Sequence, residues 1–166
     1  MRITQLSVRG FRNLVEQEID LNHDAVLFAG KNGQGKTSVL EAIFTLSQGK
    51  SFRSSHAREM LSWDTAYAIL PHVAICEGEF ETRDGNKHVR FEVSAEKRQV
   101  FLNEKPVIAA HKFYGQVACS VFTPDDLQLV KGAPAERRRF LDRLLSTVDA
   151  EYVEHLVQYQ RTLKQR

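Results

Sequence analysis

The segment Gly30-Lys31-Asn32-Gly33-Gln34-Gly35-Lys36-Thr37 matches G-x-x-x-x-G-K-[ST] at every fixed position, and Ser38 follows it. No other feature of the chain restricts its fold so tightly. Glycines let the backbone take positive φ and let several N–H groups converge on one anion. A helix opening near Lys36 adds the positive end of its dipole. In such a loop Lys36 bridges the β- and γ-phosphates of a nucleotide as a point charge, while the Thr37 hydroxyl coordinates Mg²⁺. Ser38 adds a hydroxyl contact to phosphate. The pattern needs a buried strand before it and a helix after it. Ala25-Val26-Leu27-Phe28-Ala29 is an apolar run without polar alternation, as expected of a strand covered on both faces. Val39, Leu40, Ile43, Phe44 and Leu46 then fall at helical spacing until Gly49 offers a stop. A glycine-rich turn matching by chance would lack these neighbours.

Around this unit the hydrophobic period changes twice. Thr4, Leu6 and Val8 alternate with polar residues, as do Val15, Gln17, Ile19 and Leu21, predicting two half-buried strands joined as a hairpin around Gly10 to Leu14. Between Val73 and Leu102 the period is again two, with turn residues at Asp84-Gly85 and Asn103-Glu104-Lys105, so an antiparallel meander is expected. Val117 to Phe122 suits another core strand. Pro124 and Pro134 then stand where helices can begin. Phe140, Leu141, Leu144, Leu145 and Val148 form one apolar stripe; Tyr152, Val153, Leu156, Tyr159 and Leu163 form a second, with Asp149 as the N-cap between them.

Composition narrows the function classes. With 166 residues, 42% of them hydrophobic, the chain is long enough for a core of its own. No apolar run approaches the roughly 20 residues that cross a bilayer, and Met1-Arg2-Ile3-Thr4 does not begin a signal peptide. A cytoplasmic protein without a membrane partner is expected. Cys76 and Cys119 lie far apart in apolar segments, outside any metal-ligand spacing, and read as reduced core residues. Residues 131–166 hold 8 Lys/Arg against 5 Asp/Glu, whereas residues 1–130 hold 15 against 16. That bias suits a nucleic-acid partner and a solvated helical face equally well.

Two further stretches carry a family resemblance. Phe11-Arg12-Asn13-Leu14 resembles the F-R-N element of ATPases related to the structural-maintenance-of-chromosomes family, which implies that Arg12 and Asn13 lie beside the nucleotide. The run from Pro124 to Asp142, with Gly132, Pro134, Arg137, Arg138, Phe140 and Leu141 at its fixed places, resembles a signature of the RecF family. Gly49-Lys50-Ser51-Phe52-Arg53 also resembles that family. The resemblance covers nearly the whole chain and implies an α/β P-loop NTPase: lobe I of an ABC-type ATPase head, with a flanking antiparallel β-sheet and C-terminal helices. On this reading residues 1–166 are an ATP-binding head lobe, with residues 124–166 the helical start of a second lobe or arm.

The implied ligands are ATP and Mg²⁺, and the nucleotide site comprises Arg12, Asn13, Gly30, Lys31, Asn32, Gly33, Gln34, Gly35, Lys36, Thr37 and Ser38, with Thr37 on the metal. The implied function is recombinational DNA repair, acting in DNA replication and the SOS response. The implied partners are DNA at gaps or single-strand/double-strand junctions, a second head in an ATP-dependent homodimer, RecO and RecR. Arg137 and Arg138 suit ion pairs with Asp125-Asp126 as well as contact with DNA or a subunit. No Walker B strand or ABC signature is recognisable: Asp125-Asp126 follows Pro124 in what reads as a loop. The sequence therefore reads as a fragment that binds nucleotide weakly and hydrolyses it poorly, with no catalytic residue identifiable. The phosphate loop by itself also serves soluble kinases and GTPases, and a non-hydrolysing interaction module would retain parts of it.

Overall fold

The first alternating segments form the expected hairpin. Strands β1 (Arg2–Phe11) and β2 (Leu14–Asp20) run antiparallel, with Phe11 opposite Leu14. The computed structural model describes residues 1–62, 73–108 and 113–165. Its contacts divide the chain into two compact units, Met1–Ile108 and Ala109–Arg166.

In the first unit the meander follows as β3 (Val73–Thr82), β4 (Gly85–Ser94), β5 (Arg98–Leu102) and β6 (Lys105–Pro106). The strands make one antiparallel sheet in the order β2-β1-β3-β4-β5-β6. Period-two alternation puts Leu6 and Val8, Ala74, Cys76 and Phe80, and Val89, Phe91 and Val93 into the core, all buried. Asn103 and Glu104, at φ 49° and 62°, close the β5–β6 turn in the left-handed conformation that matches the twist of a hairpin.

Helix α1 (Lys36–Gln48) lies on the buried face of this sheet. It can approach closely because β3 carries Gly78 beneath it: a Cβ there would stand 2.7 Å from a Leu46 methyl. The helix ends as expected at Gly49, which takes φ 64° and donates its N–H to the Thr45 carbonyl. Phe52 then packs edge-on against Phe44, with ring centroids 5.4 Å apart. The Cys76 thiol lies under α1, and burial pushes its pKa up.

The second unit is helical. A 3₁₀ turn over Pro124–Leu127 leads into α2 (Gln128–Lys131), α3 (Pro134–Val148) and α4 (Ala150–Lys164). Pro134 occupies the first turn of α3, where its missing N–H costs nothing. The Asp149 carboxylate caps α4 by accepting from the N–H groups of Glu151 and Tyr152 at 2.9 and 3.2 Å.

Four expectations fail. Ala25–Ala29 is not a strand, and Leu27 is 88% exposed. A strand exists only where a neighbour takes its backbone hydrogen bonds, and no described strand pairs with this run. For the same reason Val117 to Phe122 forms no strand, and Cys119 within it is half-buried rather than in a core. Asp125-Asp126 sits in the 3₁₀ turn, not in a loop. The α3 stripe is present as read, and Leu141, Leu144 and Val148 on it are 52%, 47% and 73% exposed.

Candidate functional site

A cleft of about 500 Å³ opens over the N-terminus of α1 and is lined by Arg12, Asn13, Asn32, Gly33, Gln34, Gly35, Lys36, Thr37, Ser38 and Arg53. The β1–β2 turn brings Arg12 and Asn13 to the loop that follows β2, and the segment after α1 adds Arg53. Gly30 and Lys31 contribute through their carbonyls, which accept from Lys36 Nζ at 2.8 and 2.6 Å. The ammonium is thus folded onto its own loop. Gly33 and Gly35 take φ 83° and 90°, in the left-handed region that favours glycine. At Gly35 there is also no room, since a Cβ would stand 2.7 Å from a Leu14 methyl.

Asn13 braces the loop at two points. Its Nδ2 donates to the Gly33 carbonyl at 2.8 Å, and its Oδ1 accepts from Ser38 Oγ at 2.8 Å. Ser38 is buried, with its hydroxyl on Asn13, while the neighbouring Thr37 side chain is exposed at the cleft. Among the described residues no group of three His, Cys, Asp or Glu side chains is placed to hold a metal ion. One hydroxyl suits Mg²⁺ nonetheless, because that ion keeps several waters and takes its remaining ligands from phosphate oxygens.

Sequence reading missed the group behind the cleft wall. Glu41, on α1, is fully buried and accepts from Arg12 Nε at 3.1 and 3.2 Å and from Arg12 Nη2 at 2.7 Å. The same carboxylate accepts from Ser51 Oγ at 2.6 Å and from Arg53 Nη1 at 3.4 Å. Arg12 Nη1 donates to the Glu59 carbonyl. The available signal was a polar stripe: Ser38, Glu41, Thr45 and Gln48 share a helical face and are all at most 5% exposed. A polar stripe on a helix ordinarily faces water, whereas this one faces the interior.

Within the second unit, Arg137 Nη1 donates to the Leu129 carbonyl at 3.2 Å. Asp126 does not serve the arginines there: its carboxylate accepts from Thr123 N and Oγ1 at 2.6 and 2.9 Å. The Asp125 side chain lies outside the described residues.

Comparison with known proteins supplies what a single cleft does not. Residues 2–115 match the family described as the RecF/RecN/SMC N terminal domain. The whole chain is 34% identical to the DNA replication and repair protein RecF of Staphylococcus carnosus (strain TM300), and equally to that of Staphylococcus aureus (strain JH9). It spans 43% of the length of each. Among solved structures, the recombination mediator protein RecF with ATP, of the RecFOR pathway, superposes with a TM-score of 0.88 at 29% identity, over 99% of this chain and 43% of that one. A structure from work on ATP-driven dimerization and DNA-stimulated activation of SMC ATPases superposes with a TM-score of 0.62, over 87% of this chain and 99% of that one. At 18% identity it shares the fold alone. The architecture is that of a P-loop, ABC-type ATPase head, with an antiparallel sheet and C-terminal helices.

Proposed function

Because the chain belongs to the RecF/RecN/SMC N-terminal domain family, and resembles RecF along its whole length, we propose that it is the ATP-binding lobe of a RecF-like recombinational DNA repair protein. The observation that carries this reading is the phosphate loop held open by Asn13, with Lys36, Thr37 and two arginines on the walls of one cleft. Backbone N–H groups at the start of α1 and the helix dipole receive the phosphates. Lys36 exchanges its loop carbonyls for β- and γ-phosphate oxygens, Thr37 takes a place on Mg²⁺, and Arg12 lies beside the nucleotide.

Such a cradle binds and orients, and it neutralises part of the charge of a phosphoryl-transfer transition state. Orientation of the attacking water is a separate requirement, for which the described residues offer no acidic pair at the end of a strand. ATP binding therefore outlasts hydrolysis in this lobe. The whole protein, on this reading, closes two heads on ATP, binds DNA at gaps or single-strand/double-strand junctions, and works with RecO and RecR. The helices of residues 124–166 begin its second lobe or arm. The expected result for the lobe is that millimolar MgATP shifts the amide NMR signals of Gly33 to Thr37. Unmoved signals would remove the basis of the reading.

A further inference from the structure

Glu41 has a role that the nucleotide reading does not require and the geometry supplies. A carboxylate removed from water is unfavourable unless its oxygens are fully used. Here both are: Oε1 accepts from Arg12 and Ser51, and Oε2 accepts from Arg12 and Arg53. The donors come from two separate stretches of chain, the β1–β2 turn and the segment after α1, and both arginines line the phosphate-loop cleft. Two guanidinium groups beside Lys36 repel one another, and the carboxylate between them offsets that repulsion.

The two arginines are held differently. Arg12 is 12% exposed in its side chain and makes a fork of bonds to Glu41. Its backbone stands at φ 56°, sparsely populated for a residue with a side chain, and is fixed by the bond from its N–H to the Met60 carbonyl. Arg53 is 46% exposed and touches Glu41 through one 3.4 Å contact, yet its backbone N–H is tied to Ser51 Oγ, itself bound to Glu41. One wall is therefore rigid and the other adjustable, and both depend on the same carboxylate.

We propose that Glu41 is a positioning residue that holds Arg12 and Arg53 in place for the nucleotide phosphates before the nucleotide arrives. This rests on the reading of the cleft as an ATP site. Preorganised arginines spare the binding step their rotamer entropy. The role also fixes the sign of an experiment. Glu41→Gln removes one negative charge near the phosphates, and the field alone would tighten ATP binding; loss of arginine placement weakens it. Glu41→Asp keeps the charge but withdraws the carboxylate by one methylene, so it isolates placement from field.

The test is calorimetric titration of MgATP into the 166-residue chain and both variants, with folding checked by circular dichroism. Both variants are expected to bind about tenfold more weakly, the scale of one charge-assisted hydrogen bond. The loss from Glu41→Asp should shrink when Arg53 is already alanine. Parent-like affinity in Glu41→Asp, or tighter binding in Glu41→Gln, overturns the proposal while leaving the ATP site intact. A parent chain that does not bind MgATP overturns both. If neither variant folds, the arginine Nε–Hε NMR signals of the parent decide. Arg12 and Arg53 should resonate apart from the exposed arginines and move on adding MgATP; signals that merge with the exposed set and stay still overturn the proposal.

Discussion

The two units treat equally clear apolar patterns in opposite ways. In Met1–Ile108 the alternating residues of β1, β3 and β4 are covered, and Leu6, Val8, Val89, Phe91 and Val93 have no accessible surface. In Ala109–Arg166 the stripes of α3 and α4 are as regular, yet Leu141, Leu144, Val148, Tyr159 and Leu163 remain 47% to 73% exposed. Periodicity decides which residues share a face. Burial needs a second surface, which the first unit supplies from its own sheet and helix.

The largest effect is expected at Phe91, in the covered sheet. Replacing it with alanine should cost about 3–5 kcal/mol of first-unit stability. Cys76, its direct cross-strand neighbour, reports the outcome, since its thiol should label only when the sheet opens and so should label much faster in the variant. The counterpart Leu144→Ala should change stability by no more than about 0.5 kcal/mol. Similar costs at the two positions, measured by urea unfolding, would mean that the α3 stripe is covered in solution.

The next effect is smaller and concerns ligand binding rather than folding. Lys36→Ala removes a charge from the cleft without opening a core void, so it should weaken MgATP by about 1.5–3 kcal/mol while leaving the melting temperature unchanged. Equal affinity in variant and parent by calorimetry would deny Lys36 its phosphate role. The smallest effect belongs to the helical unit. Asp149→Ala removes the cap of α4 and should cost about 1 kcal/mol, seen as faster amide exchange confined to the first turn of that helix.

What was legible followed from local rules. The hairpin, the meander, α1 with its glycine stop, the proline start of α3 and the aspartate cap each depend on neighbouring residues, and each is present. The positive-φ glycines at 33 and 35 and the helix start at Lys36 were legible because glycine placement and helix start are local as well. Ala25–Ala29 and Val117–Phe122 were misread because strand formation depends on a pairing partner that composition does not reveal. Glu41, Ser51 and Arg53 were missed at the site for a related reason. A glutamate on a helix reads as solvated until its arginine partners, 29 and 12 residues away, are seen beside it.

The brace at Asn13 carries one more consequence. A loop that closes only around its ligand couples every binding event to an ordering step, and association slows accordingly. Here a side chain from the β1–β2 turn spans from Gly33 to Ser38, so the shape of the loop is fixed by hydrogen bonds within the chain itself. A phosphate ligand entering such a loop would meet N–H groups already in place, and its association would be limited by encounter rather than by the refolding of a loop.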